Sequence, residues 1–196
     1  MKKGLITLLV IVGIIGLLAS SVAGTYNGLV GMEEGVKQAW SQVENVYQRR
    51  LDLIPNLVET VKGYAAHEKS TFVEVTEARS RAAGTISPEV INNPEKFRQF
   101  QESQTALSSA LSRLLVVVEK YPDLKANENF LSLQAQLEGT ENRISVERER
   151  FTKAAQAFNV KLRQFPTNFI GAAFGFKTKE YFKSDEGAQK APKVQF

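Results

Sequence analysis

Cysteine is absent from the 196 residues and histidine occurs once, as His67. Disulfides, thiolate nucleophiles, Cys-lined zinc sites and a lipoprotein-type acylated cysteine are thereby excluded. One histidine is too few for the helical zinc motif, which needs a second four residues from the first. With Asp52 and Glu77 it builds no three-ligand site, and on a helix it lacks a nucleophile elbow beside it. The Gly171 to Gly175 stretch is not followed by the Lys-Ser/Thr pair of a phosphate loop. Strand-like alternation of useful length is missing as well. The expectation is a chain that is not an enzyme, holds no metal and uses no cofactor.

The formal charge of +4 does not point to nucleic acid. Two of those charges are Lys2 and Lys3, and nowhere do four basic residues cluster without interleaved acids, whereas nucleic-acid binders need a dense basic footprint. A nucleic-acid partner is excluded.

Charge is also missing from Lys3 to Glu33. Within that gap Leu5 to Ala23 is apolar save for Thr7, Ser20 and Ser21. Nineteen residues at about 1.5 Å each span roughly 28 Å, near the hydrocarbon thickness of about 30 Å. In lipid such a segment must be helical to satisfy its own backbone. Lys2, Lys3 and the α-amino group precede the span, and only Lys37 follows within about 20 residues, so the bias places the N-terminus in the cytoplasm and the remainder outside. A cleavable signal peptide competes with the anchor, since Ser21-Val22-Ala23 is a small-x-small pattern. Helix periodicity that resumes soon after the span favours the anchor. Gly16, Ser20, Gly24 and Gly28 recur every four residues and form a small-residue ridge, the kind that lets helices approach closely in lipid. Self-association through this ridge is weighed against the general abundance of glycine in membrane helices.

Beyond Gly31 apolar residues alternate at spacings of 3 and 4. One series runs Val36, Val43, Arg50, Leu57, Tyr64, Thr71, Ala78; its companion runs Trp40, Tyr47, Ile54, Val61, Glu68, Val75, Ala82. The register survives Pro55, which either kinks one long helix or lies in the first turn of a second helix capped by Asp52. Gly84 to Pro94 breaks the pattern, and Asn93-Pro94-Glu95 opens the next helix with a capping side chain, a first-position proline and an acid at the positive end of the dipole. That helix carries Phe97, Phe100, Gln104, Leu107, Leu111, Leu114 and Val118 and stops before Pro122. Asn127 opens the last long helix, in which Phe130, Leu137, Ile144, Phe151, Phe158 and Phe165 stand seven apart until Pro166. Short connections make the helices antiparallel neighbours. The fold class is all-α: an up-and-down bundle of three to four long helices behind one transmembrane helix, with 1–23 as anchor, 24–183 as bundle and 184–196 as a flexible polar tail.

Arg50, Glu68 and Glu147 interrupt the apolar seams. An ion in a helix interface costs several kcal/mol unless it is paired. These residues are candidates for rim or structural ion pairs, for fixing register, or for contacting a partner. Phe169, Phe174, Phe176 and Phe182 make the C-terminal segment aromatic, either to cap the bundle or to offer an apolar patch to a partner or a lipid surface. Were the last helix parallel to the first, this segment would lie far from the membrane, which favours capping.

Arg49 to Tyr64, reading RRLDLIPNLVETVKGY, followed by His67-Glu68, resembles the hallmark stretch of the LemA family. Tyr26-Asn27-Gly28-Leu29-Val30, Ala39-Trp40-Ser41, Leu107 to Leu111, Tyr121 to Ala126, Thr140 to Ile144, Phe165-Pro166 and Phe174-Gly175-Phe176 are similar to its further blocks, in order along nearly the whole chain. The resemblance implies a bacterial protein of the inner membrane with one N-terminal span and an up-and-down helical bundle, and it brings no catalytic residues with it. Family genes often neighbour membrane-associated peptidases, which implies an envelope partner such as a membrane peptidase. The expected function is a non-catalytic scaffold for self-assembly, as a homo-oligomer, or for docking an envelope protein. A membrane-shaping or envelope-stress adaptor is the alternative, and a hydrolase the remote one.

Overall fold

The structure, a computed structural model, describes residues 2–182, with side chains from residue 4 onward. The tail expected at 184–196 lies outside the described residues. Six α-helices follow one another, and no strand occurs among the described residues: α1 (Lys2–Lys62), α2 (Lys69–Gly84), α3 (Pro94–Val118), α4 (Pro122–Lys125), α5 (Glu128–Arg163) and α6 (Thr167–Ala173), with a 3-10 turn at Pro88–Asn92 before α3. The all-α bundle expected from the periodicity is the fold.

The first helix is a single rod of 61 residues, about 90 Å long. Its apolar start is exposed from Leu5 to Leu18, and Leu29 is the first fully buried position. One helix is therefore long and apolar enough to cross a membrane, and it passes residues 23–24 without a break. Pro55 sits inside α1, so the chain there is one helix, and Asp52 caps nothing; its Oδ1 accepts a hydrogen bond from Gln48. Proline has no N–H, which leaves the carbonyl four residues back without its helical donor. That carbonyl belongs to Leu51, and Arg79 Nε of α2 donates to it at 2.8 Å. A tertiary contact thus offsets the local cost of Pro55.

The rod does not continue to Ala82, as the unbroken heptad series suggested. It ends at Lys62, and the chain reverses through Gly63 to Glu68 into α2. Tyr64 and Ala65 both donate to the Val61 carbonyl, at 3.1 and 2.9 Å, which tightens the last turn. Both sides of the reversal carry the same apolar period, so the sequence pattern hides the turn. The other boundaries fall where capping chemistry puts them. Asn93 Oδ1 accepts from the amides of Glu95 and Lys96 at 2.9 and 3.2 Å, and Asn127 Oδ1 accepts from Phe130 at 3.0 Å.

Long-range contacts set the direction of each helix. Trp40 meets Phe151 at 5.1 Å between ring centroids, Arg50 meets Glu141, and Asn127 donates to the Tyr64 hydroxyl. Ascending α1 thus pairs with descending α5, and the two are antiparallel. The core forms two clusters along this axis. A cluster far from the apolar start joins Leu51, Leu57 and Val61 of α1 to Phe72 and Val75 of α2, Leu107 and Leu114 of α3, and Phe130. A second, nearer the apolar start, gathers Leu29, Trp40 and Tyr47 with Phe97, Phe100, Phe151 and Phe158. Trp40 is its centre, 5.3 Å from Phe100 and 6.2 Å from Phe97, while its indole N–H donates to the Ser87 carbonyl at 3.2 Å.

Candidate functional site

Between the two apolar clusters the bundle opens into a polar cleft of about 570 Å³, bounded by α1, α3 and α5 and lined among others by Tyr47, Arg50, Gln104, Ser108, Glu141 and Arg148. Its floor is two polar side chains: Arg50, 4% exposed, and Gln104, 5% exposed. Heptad spacing puts both at seam positions, so the helix geometry that buries Trp40 and Leu107 buries them as well. Arg50 Nη2 donates to Ser108 Oγ at 2.7 Å, and Ser108 donates in turn to the backbone carbonyl of Gln104 at 3.0 Å. Arg50 Nε lies 2.8 Å from Glu141 Oε1, a charge contact without the alignment of a hydrogen bond. Both atoms of the Gln104 carboxamide are buried and unpartnered. Each such atom costs about 1–3 kcal/mol of lost hydration, and no packing gain that leucine would not match more fully offsets this.

Burial pulls the Arg50 guanidinium down from its ordinary range, opposed by the Glu141 carboxylate and by Tyr47. Burial pushes the Tyr47 phenol up, against Arg148 and Arg50. The upward direction keeps the phenol a hydroxyl donor, and a guanidinium offers N–H donors and no acceptor. Arg148 also lies over the Phe182 ring, 4.3 Å from its centroid.

The other seam charges stand apart from the cleft. Glu68 is at the α1–α2 reversal, preceding α2 without a side-chain capping bond. Glu147 is half-buried and pairs with exposed Arg150 one turn on, at 2.8 Å. His67 is exposed on the same reversal, and among the described residues no three His, Asp or Glu side chains gather to hold a metal. The ridge residues Gly16, Ser20, Gly24 and Gly28 are all exposed; a Cβ on any of the three glycines would meet nothing within 4 Å. Ser20 turns its hydroxyl back to the Gly16 carbonyl at 2.9 Å, so the ridge presents no free donor.

The four aromatic candidates divide. Phe182 is 8% exposed and belongs to the Trp40 cluster, mid-bundle rather than at an end. Phe176 packs half-buried between Phe158 and Tyr26, at 6.4 and 5.8 Å. Phe169 and Phe174 stay exposed. Because α5 runs antiparallel to α1, the segment after it returns to the end of the bundle where the apolar span emerges: Gly171 of α6 abuts Leu162 and Leu29, and Phe174 lies 4.8 Å from Tyr26. This direction removes the premise on which capping at the far end was preferred.

Sequence reasoning singled out neither Gln104 nor Lys179. Lys179 is 5% exposed and secures the extended stretch that carries Phe182 back along the bundle. Its Nζ donates to Glu33 Oε1 at 2.6 Å and to Asn92 Oδ1 at 2.7 Å. The Asn159 side chain brackets its backbone, accepting from the amide at 2.8 Å and donating to the carbonyl at 2.9 Å. A lysine in a non-helical stretch after the last helix carries no periodicity that would announce such burial. Gln104 carried a faint signal, as a lone carboxamide in an apolar seam.

A family model described as LemA family matches residues 39–196. The magnetosome protein MamQ of Magnetospirillum gryphiswaldense is 26% identical, over 93% of this chain and 74% of its own length. The magnetosome protein MamQ 2 of Paramagnetospirillum magneticum is likewise 26% identical, over 92% of this chain and 74% of its own. Protein LemA of Metamycoplasma hominis is 23% identical, over 88% of this chain and 75% of its own.

Proposed function

The chain belongs to the LemA family, and from that premise we propose that it is a non-catalytic scaffold of the bacterial envelope, held in the inner membrane by the first turns of α1 and docking an envelope protein in the polar cleft between α3 and α5. The observation that carries the reading is the cleft floor. A carboxamide buried with both atoms unpartnered beside a buried guanidinium lowers stability, and such groups persist where a ligand satisfies them. The matching occupant is a polar protein segment that offers donor and acceptor together, such as a peptide group or an amide side chain. The Arg50 guanidinium and the Tyr47 hydroxyl supply further hydrogen-bonding groups for recognition. The Lys2–Lys3 bias supports an extracytoplasmic bundle.

Chemical crosslinking in native membranes tests the proposal. The wild-type chain is expected to give adducts with a distinct envelope protein, and Gln104→Leu and Arg50→Leu, which keep the bundle folded, to lose them. Adducts of unchanged intensity in both variants would contradict it.

Self-assembly is a second reading, favoured by the open ridge of Gly16, Ser20, Gly24 and Gly28 on the exposed, apolar part of α1. Replacing Ser20 and Gly24 with leucine is expected to reduce same-chain crosslinks while leaving the cleft adducts in place.

A further inference from the structure

We infer that the exposed aromatic end of the bundle is a lipid-binding foot, with Phe165, Phe169 and Phe174 inserted in the headgroup layer of the bilayer that α1 crosses. The inference deepens the anchoring reading above and rests on it. Phe165 is 81% exposed, Phe169 66% and Phe174 55%, the three together at one end of an otherwise well-packed bundle. Phe165 and Phe169 touch edge to face at 6.0 Å.

Height along α1 identifies the occupant. The apolar span ends at Ala23, and the headgroup layer adds about 5–7 Å on each side of the hydrocarbon. Tyr26 is three residues on, about 4.5 Å higher, and the Phe174 ring lies 4.8 Å from it. Leu162 packs at the level of Leu29 through Gly171, and Phe165 follows Leu162 by three residues on the membrane side. The patch is thus continuous with the segment that meets lipid. Charge agrees: Lys161 and Arg163 are exposed in the last turn of α5, while the first acid along α1 is Glu33, held by Lys179. Rings at headgroup depth with basic neighbours match a phospholipid headgroup surface that includes anionic lipid. A single transmembrane helix would leave the bundle free to tilt, and a second contact fixes its angle to the bilayer.

Tryptophan fluorescence of the full chain in phosphatidylethanolamine–phosphatidylglycerol vesicles tests this, because Trp40 is the one native tryptophan and is buried. Phe169→Trp and, separately, Phe165→Trp are compared with Val73→Trp, an exposed position on α2 at the far end. Emission added at position 169 or 165 is expected to be blue-shifted, quenched roughly twofold by lipids brominated at shallow acyl positions, and resistant to aqueous iodide. Emission added at position 73 is expected to behave oppositely. Vesicle flotation separates the two readings. A chain that floats while the indoles introduced at positions 169 and 165 respond to iodide like the one at position 73 overturns the foot alone. Protection from both quenchers assigns the patch to a second copy of the chain and also overturns it. A chain that fails to float overturns anchoring and foot together.

Discussion

If Arg79 compensates for Pro55, the two residues must be energetically coupled, and a double-mutant cycle measures the coupling. In the wild type the Leu51 carbonyl, freed by Pro55, is held by Arg79 Nε at 2.8 Å in a part-buried setting. Hydrogen bonds to charged groups contribute about 1.5–3 kcal/mol, so Arg79→Met, which keeps the apolar stem, is expected to cost about 2 kcal/mol. For a bundle of this size that lowers Tm by about 4–8 °C. In a Pro55→Ala background the new amide at 55 takes the Leu51 carbonyl, and Pro55→Ala alone is expected to stabilise α1 by up to about 3 kcal/mol. Arg79→Met should then cost only about 0.5 kcal/mol, giving a coupling of about 1.5 kcal/mol. Thermal and urea unfolding of the four full-length proteins in one detergent, followed by circular dichroism, supply the numbers. Losses that agree in the two backgrounds within about 0.5 kcal/mol would refute the compensation.

Three further outcomes follow from the burial pattern. Gln104→Leu is expected to raise stability by about 1–3 kcal/mol, read as a higher urea midpoint at unchanged m; a loss of stability would show that the carboxamide is satisfied in solution. Lys179→Met leaves Glu33 without its buried cation and should cost about 3 kcal/mol, with faster hydrogen exchange at residues 177–182 as the local readout. Burial raises the Glu44 carboxyl above its usual range, partly offset by Trp40. An acid whose folded pKa is raised favours the native state at low pH and weakens it as pH rises through the carboxylate range. Glu44→Gln is therefore expected to gain stability at pH 7 and to match the wild type near pH 3, in a pH series of urea midpoints.

Much of this architecture is legible in residue spacing, because burial on a helix has a period that side chains announce. Phe130, Phe151 and Phe158 of α5, the Asn-Pro-Glu opening of α3 and the Asn127 cap all act through local chemistry, and each sits where spacing puts it, whereas Phe165 of the same series falls past the end of α5 and is exposed. What spacing hides is tertiary. The α1–α2 reversal interrupts a heptad run whose two halves look alike, and the survival of the helix at Pro55 depends on an arginine of the following helix. Phe182 reads as one more aromatic in a C-terminal patch, yet its ring fills the Trp40 cluster because Lys179 and Asn159 pin the stretch that carries it. Of the three seam charges, only Arg50 is brought to the cleft; Glu68 falls on the reversal that the pattern concealed.

Scaffold, cleft and foot all presuppose that residues 1–23 stay attached to the bundle and in the bilayer. Intact-mass analysis of the mature chain from carbonate-washed membranes of the expressing bacterium reads this directly. The account predicts a membrane-retained protein that keeps the segment before Gly24. A soluble species beginning just after Ala23 would contradict it.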